Sequence, residues 1–252
     1  MKIKTIVCVI LCFSFFLSSC KKEEVKTKLN EKTVAVEIDS LSYEAAKTIR
    51  NEVKEIRTFS TEDGAVTAVE TKNADLLVLD EFSYSLYKAD ERKINTVKVL
   101  PFTTEYCIYF HNNAELLQKF NVEILELQEN GTINEIKEAY KTGDGYYPEL
   151  KQLSSDAPTI IMGTDIVGAP YTDLTENGYV VGIDVDIASI IANSLGYNLE
   201  IVVTSMDEMF NMLSEDKVDF IMSGLMYEEK RKGEYDTSFS YLSTEYYLLE
   251  RG

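Results

Sequence analysis

The chain is poor in histidine, in basic residues and in cysteines outside its N-terminal segment. His111 is the one histidine among 252 residues, which argues against a histidine-rich metal site and against a Ser-His-Asp triad. Lys and Arg number 25 against 43 Asp and Glu, and the formal net charge is −18. This charge would repel a polyanion, so nucleic acid is not expected as the main partner. We expect no cofactor, no metal ligand and no catalytic residue.

The first twenty residues have the pattern of an export signal. Lys2 and Lys4 precede an apolar run, 6–17, that is too short to span a bilayer as a helix but typical of a secretory signal. The run ends in Leu17-Ser18-Ser19-Cys20, which resembles the bacterial lipobox. We therefore predict a lipoprotein signal peptide over 1–19, lipidation of Cys20, and a flexible polar tether over 20–31. The alternative is an ordinary signal peptide with a cysteine there by chance.

The remaining cysteines agree with this interpretation. Cys8 and Cys12 would leave with the signal peptide, and Cys107 would then have no partner for an intrachain disulfide. No second apolar run is long enough to cross a membrane. The pattern therefore predicts an extracytoplasmic domain that is held at the cell membrane by its lipid.

Short apolar runs alternate with helical patterns along the rest of the chain, which predicts an α/β fold with mainly parallel sheets and helices on both faces. We expect Ser205 to cap a helix, and Thr132 with Glu135 to form a capping box. Residues 142–158 lack a clear period and contain glycine, proline and serine, which is typical of a linker. Strands are predicted over 33–38, 55–59, 75–79, 97–101, 105–110, 159–162, 179–181, 198–203, 218–222 and 246–250.

Residues 159–249 resemble the opening half of bacterial extracellular solute-binding proteins of family 3, which serve ABC transporters for amino acids. Each matching stretch is weak alone, but their order and spacing are specific. The stretches are Gly163-Thr164-Asp165 with Pro170-Tyr171, Asn177-Gly178 with Gly182-Ile183-Asp184-Val185-Asp186, Lys217-Val218-Asp219, Ser223-Gly224 with Arg231, and Phe239-Ser240.

Residues 32–141 resemble the closing half of the same family, so the two halves stand in reversed order. The matching stretches are Val34-Ala35-Val36 with Ser40, Asn73-Ala74-Asp75 through Asp80, and Asn130-Gly131-Thr132 through Tyr140. The resemblance implies a circularly permuted, two-lobed periplasmic-binding-protein type II fold. The alternative is a truncated tandem protein that keeps the tail of one copy and the head of the next.

On the permuted arrangement, each part of the chain has a place in the family fold. Lobe two comprises 32–111 together with 246–252, and lobe one comprises 159–245. Residues 112–141 would be the C-terminal helices of lobe one, and 142–158 would join the old termini. New termini in a surface turn cost little stability, which makes such an arrangement tolerable.

The resemblance also implies a ligand site in the cleft between the lobes. Arg231 matches the arginine that clamps the α-carboxylate of the ligand, and Asp80 matches the aspartate that takes the α-ammonium. Asp165 matches a residue that lines the side-chain pocket, whereas helix capping explains Asp184 equally well. Ser40 is a candidate for carboxylate binding at a helix N-terminus. The remaining candidate ligand-binding residues are Ser223, Gly224, Met226, Tyr171 and Met206.

Several positions depart from the family pattern. Met226 and Glu228 stand where Ser or Thr is usual, and Asp39 replaces a glycine. Gly168 and Met206 replace aromatic residues that sandwich the ligand side chain. Tyr171 and Met206 could line an apolar or adaptable pocket instead. These changes leave the identity of the ligand side chain open.

The resemblance implies a non-catalytic receptor, expected to be monomeric, that binds an amino acid or similar zwitterion and delivers it to an ABC permease. One alternative is an enzyme on the same fold, like the periplasmic dehydratases, with Glu228 as the candidate acid or base. Another is a degenerate or truncated binding protein that serves as a sensor.

Overall fold

The computed structural model describes residues 28–89 and 92–252 and places them in two five-stranded mixed sheets, each flanked by helices, and one two-stranded antiparallel sheet. The predicted signal peptide and Cys20 lie outside the described residues. The strands are β1 Thr33–Glu37, β2 Glu55–Phe59, β3 Leu76–Asp80, β4 Ile94–Tyr106, β5 Tyr109–Phe110, β6 Thr159–Thr164, β7 Asp173–Leu174, β8 Val180–Val181, β9 Asn198–Val203, β10 Phe220–Ile221, β11 Asp236–Thr237 and β12 Leu242–Arg251.

Local side chains cap the starts of several helices. The hydroxyls of Ser40 and Thr61 and the carboxamide of Asn113 each accept a backbone N–H in the first turn of α1, α2 and α4. The helices are α1 Leu41–Lys47, α2 Glu62–Glu70, α3 Glu81–Ala89, α4 Ala114–Glu129, α5 Thr132–Thr142, α6 Ile183–Ser194 and α7 Met206–Ser214. Among the described residues, none of these helices has the length and apolar character that membrane crossing requires.

Two predicted caps are wrong. The Ser205 side chain makes no capping bond to α7. The predicted capping box of Thr132 and Glu135 is also absent, because α4 and α5 are separated by Asn130 and Gly131 alone. Gly131 takes the N-cap position with a left-handed φ of 87°, and the Asn130 side chain accepts the Thr132 N–H instead.

Lobe two is built on the first sheet, with strand order β2-β1-β3-β12-β4. The first three strands are parallel, and β12 is antiparallel to both of its neighbours. The four apolar residues of β3 are all buried, as the continuous apolar run predicts for a central strand. The last strand of the chain thus completes a sheet that begins near its start.

Strand β4 covers the strand predicted at 97–101 and the start of the one predicted at 105–110, whose last two residues form β5. Pro101 lies inside it, where a proline would normally break a ladder. Here β4 is the edge strand, and its pairing with β12 shifts register between Glu245 and Tyr247. An edge position beside an irregularity of this kind tolerates the missing N–H of Pro101.

Lobe one is built on the second sheet, with strand order β11-β5-β10-β6-β9. Its helices α4 and α5 precede the linker region, whereas α6 and α7 follow it. Buried side chains from both stretches share one core, in which Phe120 of α4 packs against Phe110 and Phe220. The predicted α/β fold with helices around mixed sheets is confirmed.

The chain passes between the sheets twice, at residues 106–109 and at residues 238–242, which we call the crossing segments. They run side by side: the Tyr241 N–H donates to the Tyr106 carbonyl and the Ser238 N–H donates to the Ile108 carbonyl. The first crossing comes a few residues before the boundary that we placed at 111. Two adjacent crossings of this kind are the geometry of a hinge between lobes.

Residues 143–158 contain neither helix nor strand. They nevertheless lie against lobe one, because the Asn193 side chain both donates to the Lys151 carbonyl and accepts from its N–H, at 2.9 and 2.8 Å.

Candidate functional site

The carboxyl ends of β6 and β10 bring two of the predicted residues, Asp165 and Ser223, together in lobe one. The Ser223 hydroxyl accepts from the Asp165 N–H at 3.0 Å and lies 3.3 Å from the Asp165 carbonyl. The same carbonyl accepts from the Thr172 hydroxyl at 2.7 Å. Asp165 Oδ1 accepts the adjacent Ile166 N–H at 2.7 Å. The backbone of Asp165 is thus fixed from two sides, and its carboxylate is available at the end of the strand.

Tyr171 connects this group to the crossing segments. Its hydroxyl lies 2.6 Å from the Tyr106 hydroxyl and 3.4 Å from Thr244 Oγ1. Its ring packs beside Gly224, where a Cβ would meet Tyr171 Cγ at 3.3 Å and where φ is +57°. A side chain at position 224 would therefore be both strained and crowded. Burial raises the pKa of Tyr171, so the hydroxyl remains a neutral donor.

Asp80 approaches the same place from lobe two. Its Oδ1 accepts the N–H groups of Phe82 and Ser83, and its Oδ2 accepts the Ser83 hydroxyl at 3.1 Å. The carboxylate therefore caps α3, and Oδ2 retains capacity for a further donor. Burial raises the pKa of Asp80 despite these bonds. The ring of Phe82 meets the Tyr171 ring edge-on at 6.2 Å, which brings the start of α3 against lobe one.

Ser40 lies at the carboxyl end of β1, the strand beside β3. Its hydroxyl donates to the Glu37 carbonyl and accepts from the Tyr43 N–H at 3.1 Å. Both bonds are local and fix the start of α1. The structure thus gives Ser40 a capping role at the edge of the sheet where Asp80 ends the neighbouring strand.

Arg231 lies in a different group of side chains in lobe one. Its guanidinium carbon is 3.6 Å from the centroid of the Phe210 ring, and its Nε donates to Glu228. Met206 packs on the apolar cluster that contains Phe210. No hydrogen bond or ion pair links Arg231 to Asp80 in the described part of the chain.

Met226 lies between these two groups. Its backbone pairs with Tyr106 in an isolated antiparallel bridge, and its carbonyl accepts from the Tyr109 hydroxyl at 2.8 Å. Its side chain is 38% exposed. The segment from Ser223 to Met226 is therefore held against the first crossing segment by its backbone.

Helix capping, the alternative role that we gave for Asp184, is not what the structure shows. Gly182 is the N-cap of α6, and the Asp184 carboxylate makes no capping bond. Its two oxygens accept the Gly224 N–H at 2.6 Å and the Tyr241 hydroxyl at 2.7 Å. Acidic residues in the first turn of a helix are already explained by their favourable interaction with the helix dipole. The sequence therefore gives no sign that Asp184 has hydrogen-bond partners far away in the chain.

An ion cluster between the lobes was not foreseen. Glu81, the first residue of α3, is bonded by Lys137 and Lys141 of α5 at 2.8 and 2.7 Å. Burial opposes ionisation of Glu81, but the two lysines hold its pKa below the usual value. Lys137 also donates to the Ser243 carbonyl at 2.7 Å. Helices of the two lobes are thus fastened together beside the second crossing segment.

Comparison with family models finds a match in the second part of the chain. Residues 160–252 match the sequence model of the bacterial extracellular solute-binding proteins, family 3. The match covers less than half of the chain and shows that these residues are similar to that family.

The similar curated proteins include two binding proteins and an enzyme. The chain is 27% identical over 92 residues to the arginine-binding extracellular protein ArtP of Bacillus subtilis, which covers 36% of each chain. It is 33% identical over 75 residues to the histidine-binding periplasmic protein of Escherichia coli, covering 30% of this chain and 29% of that protein. It is 36% identical over 73 residues to the cyclohexadienyl dehydratase of Pseudomonas aeruginosa, covering 29% and 27%. The chain therefore spans about a third of the length of its curated relatives, or less.

A solved structure extends the likeness over most of the chain. The second substrate binding domain of an ABC transporter protein from Streptococcus pneumoniae has a TM-score of 0.50, with 88% of this chain and 85% of that chain covered. At 11% sequence identity this likeness shows the fold alone. The predicted two-lobed binding-protein fold is confirmed.

Proposed function

We propose that the chain is an extracytoplasmic solute-binding protein that captures an amino acid between its two lobes and delivers it to an ABC permease. The observation that carries the proposal is the convergence of polar groups from both sheets on the paired crossing segments. Asp80 comes from lobe two, and Asp165, Ser223 and Tyr171 come from lobe one. A ligand between hinged lobes would meet groups from both of them.

In this proposal Arg231 binds the ligand carboxylate and Asp80 binds its ammonium. The bond to Glu228 uses the Nε–H of Arg231, which leaves the two terminal nitrogens for a bidentate carboxylate contact. Oδ2 of Asp80 has room for an ammonium donor. Pairing both ends matters because an unpaired charge in a dry cleft costs several kcal/mol.

We also propose that the chain is a circular permutant of the family fold. The support is that β12, which follows the matched lobe-one elements, pairs with β3 and β4 near the other end of the chain. Anchoring through Cys20 completes the proposal. Replacing Cys20 by alanine is expected to move the protein from the membrane fraction to the soluble fraction of the producing cells, and unchanged membrane attachment would count against the lipid anchor.

Similarity to the dehydratase keeps an enzyme as the second candidate. An acid or base that works near neutral pH needs a pKa close to the operating pH. Burial acts to raise the pKa of Glu228, but Arg231 and Lys230 outweigh it and lower the pKa. A permanently ionised Glu228 is suited to holding Arg231 rather than to proton transfer, which favours the receptor.

The test is a thermal-shift screen of amino acids, with arginine and histidine first because they are named for the relatives. A ligand at 100 times its Kd stabilises the folded state by about 2.7 kcal/mol. Recovery of the amino acid unaltered supports the receptor, whereas turnover of a prephenate-like acid supports the enzyme. A panel that shifts nothing would favour the degenerate protein.

Site variants then separate specific from general effects. Arg231→Ala and Asp80→Asn are expected to weaken binding by about 2–5 kcal/mol each. The matched controls are Lys232→Ala, in the same turn as Arg231, and Asp75→Asn, just before β3 at the end away from Asp80. Unchanged affinity in either site variant would remove that residue from the site.

A further inference from the structure

Asp184 is a buried carboxylate with two neutral partners. It has no exposed surface, and no ion pair involves it in the described ranges, 28–89 and 92–252. Its oxygens accept from the Gly224 N–H and from the Tyr241 hydroxyl. Burial without a cation raises the pKa of Asp184 to about 7. A carboxyl group buried at such a cost needs an explanation other than stability.

The first partner belongs to the proposed ligand loop. Gly224 follows Ser223, whose hydroxyl fixes the Asp165 backbone, and precedes the Met226 bridge to the first crossing segment. With φ at +57° and the Tyr171 ring against it, Gly224 holds a conformation that few residues adopt. The bond from its N–H to Asp184 ties this conformation to α6.

The second partner belongs to the second crossing segment. Tyr241 is fully buried, and its N–H donates to the Tyr106 carbonyl of the first crossing segment. The Tyr171 backbone carbonyl accepts the Asp184 N–H at 3.2 Å. One carboxylate therefore joins the loop, the helix and the hinge.

We propose that Asp184 is a positioning residue that holds the 223–226 loop in its ligand-binding geometry and couples that loop to the crossing segments. This inference rests on the proposed function of the site. Backbone contacts already hold the loop against the first crossing segment. Asp184 adds a side-chain link from the loop to the second crossing segment, which those contacts do not supply.

The test compares three variants with a matched control. Asp184→Ala removes both acceptors, and it is expected to weaken L-arginine binding about tenfold and to speed exchange of the Gly224 amide by a similar factor. Asp184→Asn keeps one acceptor and should recover part of both losses. Tyr241→Phe leaves the carboxylate on Gly224 and should cost about threefold in affinity.

Asp186→Ala is the control, because Asp186 lies on the same helix, is nearly buried and bonds Tyr140 at 2.7 Å, away from the loop. It should lower the melting temperature while leaving affinity and Gly224 exchange within about twofold of the unmodified protein. Equal losses in Asp186→Ala would reduce Asp184 to a structural residue and overturn the inference.

Further outcomes separate a failure of this inference about Asp184 from a failure of the proposed function. If Asp184→Ala does not fold, Tyr241→Phe carries the test, and unchanged affinity for L-arginine in that variant overturns the inference. If the unmodified protein does not bind L-arginine, L-arginine is not its ligand. Exchange of the Gly224 amide in Asp184→Ala then still tests whether Asp184 holds the loop. Arginine binding with unchanged affinity and exchange in Asp184→Ala would sink the inference and leave the proposed function standing.

Discussion

The carboxyl edges of the two sheets are organised in opposite ways. In lobe two the polar side chains bond to their own helices: Ser40 to the first turn of α1 and Asp80 to that of α3. In lobe one they bond across the fold, as Asp184 does to Gly224 and Tyr241. The hydrogen bonds at the edge of lobe two can form as soon as their own helix forms. Those at the edge of lobe one form only after segments far apart in the chain have come together. The match to the family model includes α6, β10 and the loop that follows it in lobe one, but it also extends into β12 of lobe two.

The largest expected effect tests whether lobe two, despite the local hydrogen bonds at its edge, depends on a strand from the far end of the chain. Deleting 242–252 removes β12, which lies between β3 and β4. Because both neighbours lose their ladder, we expect slow amide exchange to be lost over β1 and β3 but retained over β6. Hydrogen exchange read by mass spectrometry measures this, with deletion of Gly252 alone as the control. Retained protection in β3 would show that lobe two folds without its last strand.

A core substitution tests the long-range character of lobe one. Phe120 has no exposed surface and packs against Phe110 and Phe220. Phe120→Ala should lower the free energy of unfolding by about 3–5 kcal/mol, because the cavity joins elements on both sides of the linker. Urea denaturation measures the loss. Val122→Ala on the exposed face of the same helix should stay within about 0.5 kcal/mol, and an equal loss there would contradict the shared core.

The pH dependence of stability should reveal the buried carboxylates of lobe one. Burial raises the pKa of Asp186 from 3.8 to about 6, so the folded protein holds this proton more tightly than the unfolded chain. The resulting stabilisation is complete below about pH 4 and is lost as the pH rises through about 6. Asp186→Asn should therefore gain about 1–2 kcal/mol relative to the unmodified protein between pH 4 and pH 8. Urea denaturation at both pH values checks the sign, and a constant difference would contradict it.

The smallest expected effect belongs to the local edge. Ser40→Ala removes the acceptor for the Tyr43 N–H and should cost about 1 kcal/mol of unfolding free energy. Ser40→Asn, which keeps a capping acceptor, should restore most of it. A loss several times larger would mean that Ser40 supports more than its own helix.

Much of the fold could be predicted from the sequence because apolar periodicity and turn residues are local. The buried run of β3 is an example. The single long strand β4 was missed because Pro101 and the polar residues around it interrupt the apolar pattern. Only its place at the sheet edge makes that interruption harmless.

The candidate site was predictable in part for the same reason. Asp80 and Asp165 follow apolar strands, and that order of residue types is visible in the chain. The partners of Asp184 lie 40 and 57 positions away, and those of Glu81 lie in a helix more than fifty positions further along. No local pattern marks such pairs, because either carboxylate would suit the start of a helix equally well.

The sequence by itself determined the alternation of strands and helices, the acidic charge and the similarity of residues 160–252 to a known family, since these depend on residue types and their spacing. Only the tertiary structure decided that the last strand enters the first sheet and that two crossings lie side by side. It also decided which buried carboxylates have remote donors. Those features arise from contacts between segments far apart in the chain. Such contacts stabilise the protein only after the core has brought the segments together.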